Sequence, residues 1–461
     1  MTSAPGYGAV SYWLETAGDL SPRPALDGST RADVAILGAG YTGLWTAYEL
    51  LRREPSLDIV ILEKDIAGYG ASGRNGGWCT SDSGASLSLL TRRFGRDSAR
   101  RAQLAMYSAV DEVGRVAAAE GIDAAFRKGG KLSVARGAAQ LPALREAHEE
   151  QLHAGFRDRC TVLDAAELSE RVRIHGAVAA LFSLDCAVIH PGRLVRGLAD
   201  VVVRRGARLY ERTPITQWEG GAHPVLRTTT GEVRASTIVL AAEAYLSQLP
   251  SLRRAVLPVY SLIVLTEPVD DDRWNAVGWE GHECISSMRL TVDYLSRTDD
   301  ARIVVGGRGA PYRFGSTMDE TLAHHAATHA SLRQMLPAWF PSLGDVGFSH
   351  AWGGAVAIPR DFIPQIRHDR RSGVAMAYGY TGHGVAFAQL AGQTLAELIL
   401  EEQSELTSLP FVGHVSRRWE PEPLRWVGVR AAQAGLARVD ARQGRKRPPR
   451  RRSLAERLVN R

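Results

Sequence analysis

Short apolar runs separated by helical spacing characterise the first part of the chain. Residues 34–37 and 58–62 are almost wholly apolar, which is typical of strands buried on both faces of a parallel sheet. Between these runs, Leu44, Ala47 and Leu51 recur at the spacing of one helix face, and Pro55 closes the segment. The pattern therefore predicts a strand–helix–strand unit over residues 33–62.

The pattern changes in the middle of the chain and returns near its end. Residues 256–267 and 283–307 alternate apolar or β-branched with polar side chains, which predicts a mainly antiparallel sheet. Residues 236–242 and 374–378 are again short apolar runs, and helical spacing then continues to residue 399. The other predicted elements are helices over 91–127, 138–155 and 317–336, the last ended by Pro337, and strands over 131–135, 177–184, 207–210 and 225–229.

Composition indicates an ordinary globular protein with a large core. The chain has 461 residues, of which 45% are hydrophobic and 23% charged, enough for two packed domains. The first twenty residues lack the features of a signal peptide, and no apolar run is as long as a membrane span, so a cytoplasmic location is expected. The cysteines Cys79, Cys160, Cys186 and Cys284 form no C-x-x-C pair, so neither a disulfide framework nor a metal site is expected.

The positive charge of the chain is concentrated at its C-terminal end. Seven basic residues lie between positions 442 and 452, and without them the formal net charge of +6 becomes about −1. The charge of the remaining body therefore gives no support for nucleic-acid binding. The Arg- and Pro-rich composition of this tail favours a disordered segment.

A glycine motif follows the first predicted strand. Gly38, Gly40 and Gly43 have the spacing G-x-G-x-x-G between that strand and the helix. Gly38 suits a tight turn, Gly40 lets backbone N–H groups approach a pyrophosphate, and Gly43 lets helix and strand pack closely. Glu63 ends the next strand, where its carboxylate can accept hydrogen bonds from an adenosine ribose and would repel the 2′-phosphate of NADP. An ordinary glycine turn is the alternative, but the flanking elements favour a dinucleotide site.

A second glycine-rich loop lies just after Glu63. The segment GYGASGRNGGW (68–78) has five glycines among Ser72, Arg74 and Asn75. Backbone with so few side chains can approach a flat ring system and supply N–H donors to it. A flexible surface loop is the alternative interpretation.

These segments carry a resemblance to a known family. DVAILGAGYTGLWTAYEL (33–50), with SGRNGGW (72–78) and SYW (11–13), resembles the D-amino-acid-oxidase-like family of FAD-dependent oxidoreductases. The similarity is greatest to the branch that includes gamma-glutamylputrescine oxidase and relatives of glycine and sarcosine oxidases. The resemblance covers roughly residues 11–405.

The resemblance implies which residues bind FAD. In the family, the first glycine motif holds the diphosphate, the acid binds the adenosine ribose and the second loop lies near the flavin. The cofactor-binding residues expected here are Gly38, Gly40, Tyr41, Thr42, Gly43, Glu63, Lys64, Ser72, Arg74, Asn75, Gly76, Gly77, Ala242, Gly379, Gly382, His383 and Gly384. Some relatives attach the flavin to a cysteine late in the chain. We expect non-covalent FAD because no cysteine follows Cys284.

Two further segments are expected beside the cofactor. Residues 236–242 end in small side chains, and the family often continues with Thr-Asn-Ala-Tyr where this chain has Ala242, Glu243, Ala244 and Tyr245. That departure leaves a polar contact from Glu243 in doubt. The turn after 374–378 contains His383 at the start of a helix whose N-terminus, in the family, points at the pyrimidine edge of the flavin. His383 can either hydrogen-bond the flavin or cap this helix.

The predicted fold is α/β. It combines a Rossmann-like FAD-binding domain, assembled from separated segments, with an α+β substrate domain on a mainly antiparallel sheet. The FAD-binding domain is expected to comprise residues 1–100, 185–255 and 345–405, and the substrate domain 101–184 and 256–344. Residues 406–461 are expected to form a C-terminal extension.

Candidates for catalysis and substrate binding come mainly from the second sheet. His383 and Tyr260 are the candidate catalytic residues, and Tyr294, Trp352 and Arg360 the candidate substrate-binding residues. Met288 and Arg297 lie in the same predicted sheet, and Arg297 is an alternative anchor for an acidic substrate. His190 precedes Pro191 at a predicted helix start, which favours a capping role over that of a catalytic base.

The resemblance implies oxidation of the C–N bond of an amine or amino acid to an imine, with O2 commonly reoxidising FAD. A flavin dehydrogenase that uses another acceptor, or that acts on a C–OH substrate, is an alternative. A nucleic-acid-associated flavoprotein that uses the basic tail is an alternative of another class. The expected partner is a small amine or amino acid, and nothing in the sequence indicates the oligomeric state.

Overall fold

The computed structural model describes residues 6–309 and 311–443. Its strands, in chain order, are β1 Thr30–Leu37, β2 Ile59–Leu62, β3 Trp78–Thr80, β4 Lys131–Arg136, β5 Cys160–Asp164, β6 Ala177–Ser183, β7 Cys186–Val188, β8 Arg208–Tyr210, β9 Gln217–Glu219, β10 Val225–Arg227, β11 Glu232–Leu240, β12 Leu257–Thr266, β13 Cys284–Ser287, β14 Asp293–Arg297, β15 Ile303–Arg308, β16 Phe348–Ile358, β17 Gln365–Asp369 and β18 Val374–Tyr378.

The α-helices are distributed over the whole described chain. They are α1 Tyr12–Glu15, α2 Tyr41–Arg53, α3 Leu87–Phe94, α4 Arg96–Ala119, α5 Leu141–His153, α6 Ala165–Arg171, α7 Pro191–Arg204, α8 Asp271–Val277, α9 Ala326–Trp339, α10 Gly384–Ile399 and α11 Leu424–Gln443.

The first sheet has a parallel centre. Its strand order is β17-β18-β11-β1-β2-β8, and β18, β11, β1, β2 and β8 pair in parallel. Val34 and Ile36 of β1 face the core formed with α2, α4, α7 and α10, while Ala35 faces the core shared with the second sheet. Both faces are therefore buried, which explains why the sequence of these strands is continuously apolar.

The second sheet is mainly antiparallel, as predicted. Its order is β16-β12-β15-β14-β13-β4-β6-β5, and β13 and β4 are its one parallel pair within the described chain. β3 and β7 form a separate two-stranded sheet. The model thus confirms the α/β class with two sheets of different topology. The division into two domains stays a prediction, although β16, from the segment assigned to the FAD-binding domain, belongs to the second sheet.

Two predicted helices differ from those observed. The helix expected over 91–127 is two helices, because Gly95 between α3 and α4 has φ +85°, and α4 ends at Ala119. The helix expected over 317–336 begins only at Ala326 and continues beyond Pro337 to Trp339. Trp339 is fully buried, and packing of this last turn outweighs the hydrogen bond that proline removes.

The end of the described chain folds back onto the body. α11 was not predicted, and Trp419 before it donates from Nε1 to the carbonyl oxygen of Ile358 over 2.8 Å. Most of the basic tail, residues 444–461, lies outside the described residues. The prediction that this tail is disordered concerns those residues and stays a prediction. No helix in the part of the chain that the structure describes is long and apolar enough to cross a membrane.

Candidate cofactor and active site

A cavity of roughly 520 Å³ lies between the two sheets, and we call it the central cavity. The four parallel strands β1, β2, β11 and β18 end at the same edge of the first sheet. The segments after them line the cavity, as expected for a ligand site of an open α/β sheet. The predicted site residues that line it are Gly38, Gly40, Tyr41, Thr42, Glu63, Lys64, Ser72, Arg74, Asn75, Gly76, Ala242, Tyr294, Gly382, His383 and Gly384.

Two helix N-termini meet at this cavity, and Ser72 Oγ accepts a hydrogen bond from the first N–H of one of them, that of Tyr41, over 2.9 Å. α2 begins after Gly40 and α10 after His383, and neither residue makes a side-chain capping bond. The two helices pack closely because Gly392 of α10 has no Cβ; one would lie 2.5 Å from Cβ of Trp45. Their first-turn N–H groups and positive dipole ends therefore converge on one place, where they can stabilise an anionic ligand.

The first glycine turn has the geometry that its spacing predicts. Gly38 has φ +102°, and a Cβ there would lie 2.9 Å from the carbonyl oxygen of Ala241. A Cβ on Gly43 would lie 2.0 Å from the carbonyl oxygen of Gly38, so Gly43 packs the helix onto the turn and does not itself line the cavity. At Gly40 a Cβ would meet only Ser72 Oγ, at 3.0 Å, which leaves the backbone open towards the cavity.

Glu63 is buried at the end of β2 and binds backbone donors. Its Oε2 accepts a hydrogen bond from the Ala39 N–H over 2.9 Å, and its Oε1 accepts one from the Asp65 N–H over 3.0 Å. Burial raises the pKa of Glu63 to about 7 despite these two bonds. Because each carboxylate oxygen has a second lone pair and Glu63 lines the cavity, the side chain can still accept bonds from a ribose.

The second glycine loop presents backbone to the cavity, while its side chains bind the protein. The Arg74 guanidinium pairs with Glu320 over 2.7 Å and lies 4.5 Å from the centre of the Tyr69 ring. Asn75 donates from Nδ2 to the Ser72 carbonyl oxygen over 2.9 Å, and its Oδ1 accepts from the Gly77 N–H. The loop therefore offers its backbone to the cavity, while these two side chains make bonds within the protein.

Glu243 resolves the departure from the family pattern. It adopts φ +45°, and its carboxylate accepts hydrogen bonds from the N–H groups of Gly379, over 2.8 Å, and Tyr380, over 3.2 Å. Burial raises the pKa of Glu243 to about 7. The side chain fixes the turn before α10 to the end of β11, a polar contact within the protein that the sequence left in doubt.

His383 faces the cavity in this turn. Of its two predicted roles, capping is not observed, because the side chain makes no capping bond to α10. Burial lowers the pKa of His383 to about 4, although Asp82 Oδ2, 3.9 Å from Nδ1, opposes the shift. The imidazole is therefore neutral at pH 7. His190, in contrast, does cap α7: its Nδ1 accepts from the Arg193 N–H over 3.1 Å.

Three charged residues that the sequence did not single out line the same end of the cavity. Lys131 Nζ lies 2.6 Å from Asp82 Oδ2. Burial opposes the ionisation of Asp82, but the charge of Lys131 lowers its pKa to about 2, so both groups are charged. Arg308, at the end of β15, donates from Nη2 to the Thr381 carbonyl oxygen over 2.6 Å and forms no ion pair with any described carboxylate.

Tyr294 closes the cavity on the side of the second sheet. Its hydroxyl lies 3.0 Å from Ser261 Oγ, and its ring packs where Gly76 and Gly306 lack side chains. Burial raises the pKa of Tyr294 to about 12, so the phenol is neutral. Tyr294 thus lines the cavity, and its contact with a substrate stays a prediction.

Several predicted site residues lie elsewhere. Gly77 and Gly379 adopt positive φ in turns but do not line the cavity. The Tyr260 hydroxyl accepts from the Asp319 N–H over 3.2 Å, away from the cavity, which removes the argument for catalysis. Trp352 is buried behind the second glycine loop. Arg360 pairs with Glu420 at the surface.

Arg297 is likewise structural. It donates from Nη1 to the Trp279 carbonyl oxygen over 2.7 Å and stacks on the Trp274 ring. Neither arginine proposed from the sequence as a substrate anchor therefore reaches the cavity, whereas Arg308 does. Among the described residues, no group of three or more His, Cys, Asp and Glu side chains could hold a metal ion.

The cysteines support the expectation that FAD is bound non-covalently. Cys79, the nearest in sequence to the second glycine loop, is fully buried and does not line the cavity, and burial raises the pKa of its thiol. We expect acid precipitation of the purified holoprotein to release all of the yellow colour into the supernatant. Flavin that stays in the washed pellet would contradict this prediction, and Cys79→Ser would then identify or exclude that thiol.

The cavity fits FAD on its own geometry. It is long enough to run from the end of β2 to the second sheet, it meets two helix N-termini, and three glycine-rich turns expose backbone to it. The first turn with Glu63 suits an adenosine diphosphate, and the segments 72–76 and 379–384 suit a ring that becomes negatively charged on reduction.

Comparison with known proteins identifies the family of the chain. A family model described as FAD dependent oxidoreductase matches residues 33–398. The gamma-glutamylputrescine oxidoreductase of Escherichia coli K12 is 30% identical over 407 residues, covering 88% of this chain and 92% of that protein. A probable oxidoreductase, OrdL, of Rhizobium meliloti is 32% identical over 409 residues, covering 88% and 91%.

Solved structures agree on the fold. The glycine oxidase from Geobacillus kaustophilus superposes with a TM-score of 0.69 at 20% identity, over 84% of this chain and all of that one. An L-proline dehydrogenase from P. horikoshii has a TM-score of 0.67 at 20% identity, over 84% and 96%. At this identity the likeness concerns the fold alone.

Proposed function

The chain belongs to the family of FAD-dependent oxidoreductases, and from this premise we propose that it oxidises the C–N bond of an amine that also carries a carboxylate. The observation that carries the proposal is the Arg308 guanidinium in the cavity, without a carboxylate partner among the described residues. Burial of an unpaired guanidinium is costly, so the site is suited to a ligand that brings the negative charge.

An amine substrate is supported by the relatives. One is named gamma-glutamylputrescine oxidoreductase, and another, 24% identical over 395 residues, is named glycine oxidase. Asp82 and Lys131 neutralise each other beside Arg308, so this end of the cavity has a net positive charge that matches a substrate carboxylate.

The bound FAD supplies the acceptor for a hydride from the substrate C–H bond. The residues of this chain then have three tasks. Arg308 would hold the carboxylate and so fix the orientation of the substrate carbon. His383 is neutral at pH 7 and can accept a hydrogen bond from the substrate amine, which must lose a proton before oxidation. Tyr294 fills the cavity wall and excludes water.

Anaerobic reduction of the flavin tests this function. Amino acids and N-substituted amino acids should bleach the visible absorption band of the oxidised flavin, at about 450 nm. Their amides and decarboxylated amines should bleach it much more slowly. Bleaching by 2-hydroxy acids or polyols but by no amine would contradict the C–N assignment. We also propose O2 as the acceptor; admission of air should restore the band and form hydrogen peroxide.

A further inference from the structure

The SYW motif lies outside the central cavity but binds the second glycine loop. Ser11 Oγ donates to the carbonyl oxygen of Gly73 over 2.6 Å, and Trp13 Nε1 donates to that of Asn75 over 2.7 Å. Neither Ser11 nor Trp13 lines the cavity. The motif therefore acts on the loop from behind.

Two residues of the second sheet bind two further carbonyl groups of the same loop, those of Arg74 and Gly76. Trp352 Nε1 donates to the carbonyl oxygen of Arg74 over 3.0 Å, and Ser296 Oγ donates to that of Gly76 over 3.0 Å. Four successive carbonyl groups, 73–76, thus accept side-chain hydrogen bonds. We call the four donors, Ser11, Trp13, Ser296 and Trp352, the carbonyl clamp.

The clamp determines where the N–H groups of the loop point. In a trans peptide the N–H of one residue points opposite to the carbonyl of the residue before it. Fixing the carbonyls of Arg74 and Asn75 therefore directs the N–H groups of Asn75 and Gly76 to the other side. Both residues line the cavity, and neither N–H donates to another described residue.

The N–H groups on either side, those of Arg74 and Gly77, do have acceptors within the protein. The Arg74 N–H donates to the Ala71 carbonyl oxygen over 3.3 Å, and the Gly77 N–H donates to Asn75 Oδ1 over 2.9 Å. The N–H groups of Gly70, Ala71 and Ser72 likewise donate to no described residue, so all the unpaired donors of residues 70–77 belong to residues that line the cavity. An unpaired N–H group in a partly buried loop is costly unless a ligand accepts its hydrogen bond.

We propose that the carbonyl clamp positions the N–H groups of Asn75 and Gly76 as donors to the flavin ring and thereby raises its reduction potential. Reduction deposits negative charge on the ring, and donors held in place before reduction stabilise that charge without reorganising. The clamp residues act through the loop and do not contact the cofactor. This role is independent of which substrate reduces the flavin.

The test removes one indole donor at a time. We expect Trp13→Phe and Trp352→Phe each to weaken the preference of the protein for reduced over oxidised FAD about tenfold, which for a two-electron couple lowers the midpoint potential by about 30 mV. The potential is measured on the holoprotein by equilibration with a reference dye and a chemical reductant, so that the result does not depend on the substrate. Dissociation constants for oxidised FAD are measured in parallel.

Trp339→Phe is the matched control. Trp339 is also fully buried, but its Nε1 has no hydrogen-bond partner among the described residues, so its replacement removes a buried indole without removing a bond. Its potential should equal that of the wild type. The proposal is overturned if both clamp variants bind FAD and keep the potential of this control. Each indole fixes one of the two peptides that carry the proposed donors, so if one indole variant fails to fold, the other decides, and a potential equal to that of the Trp339→Phe control would overturn the proposal.

Discussion

Replacing Arg308 with alanine is expected to lower kcat/KM for a carboxylate-bearing amine about 100-fold. Losing a charge-assisted hydrogen bond to a buried ligand costs roughly 3 kcal/mol, which corresponds to about two powers of ten in rate. Arg308 is suited to this role because it lines the cavity, and its hydrogen bond to the Thr381 carbonyl oxygen leaves most of its N–H groups free for a ligand. Steady-state kinetics or the rate of anaerobic flavin reduction measures the change.

Comparing an amino acid with its uncharged amide separates the loss of the carboxylate contact from a general loss of activity. The wild type should prefer an amino acid over its uncharged amide, and Arg308→Ala should lose most of that preference while oxidising the amide at a similar rate. A general loss of activity towards both compounds would indicate a structural role for Arg308 instead. Unchanged kcat/KM for the acid would contradict the assignment of this residue as the anchor.

Arg360→Ala is the matched control for this experiment. Arg360 was a candidate anchor from the sequence, but it is paired with Glu420 and lies over the Trp419 ring at the surface. Its replacement removes the same charge at a distance from the cavity, so the acid-to-amide preference should stay that of the wild type. The pair of variants separates a local contact from a change in overall charge.

The cofactor half of the site could be predicted because its residues are close in sequence. Gly38, Gly43 and Glu63 lie within one strand–helix–strand unit, so local spacing alone places them at one edge of a parallel sheet. His383 follows a strand of the same sheet and reaches the same edge for the same reason. Parallel strands bring their carboxyl ends together, and this rule needs no knowledge of how the second sheet packs.

The charged residues of the proposed substrate site could not be predicted in this way. Asp82, Lys131 and Arg308 come from a loop, the first residue of β4 and the last residue of β15, and only the packing of the two sheets brings them together. A signal did exist for one of them, because Arg308 is the one charged residue of β15 and ends it, whereas β4, which Lys131 begins, also contains Ser133 and Arg136. Many solvated strand ends look the same, so this signal alone has little specificity.

The positions of Trp352 and Tyr260 outside the lining of the cavity have a physical explanation as well. Trp352 and Tyr260 are polar aromatic residues in strands of the second sheet, and both make a hydrogen bond to backbone on the side away from the cavity. Period-two alternation predicts that strand residues face opposite sides, but it does not say which side faces a ligand. Of the predicted aromatic residues in this sheet, Tyr294 lies on the cavity side.

The two glycines of the first turn are expected to fail in different ways when changed to alanine. A Cβ on Gly43 would lie 2.0 Å from the Gly38 carbonyl oxygen, so α2 must move away from β1. Such overpacking costs about 3 kcal/mol, and Gly43→Ala should lower the free energy of unfolding of the apoprotein by that amount. A Cβ on Gly40 would meet only Ser72 Oγ, so Gly40→Ala should leave the apoprotein nearly as stable as the wild type.

The affinity for FAD is expected to distinguish the two variants in a second way, because here Gly40→Ala is the variant that loses most. A methyl group on Gly40 would project where a diphosphate must approach the N-terminus of α2, so Gly40→Ala should weaken FAD binding roughly 100-fold in spite of its stable fold. Chemical denaturation of the apoprotein and titration with FAD measure the two quantities separately. If Gly40→Ala binds FAD as tightly as the wild type does, the diphosphate is not at this turn. If Gly43→Ala leaves the free energy of unfolding of the apoprotein unchanged, the close packing of α2 on the turn does not determine the stability of the protein. Because the two changes add the same methyl group three residues apart, a difference between them can only reflect what each glycine faces.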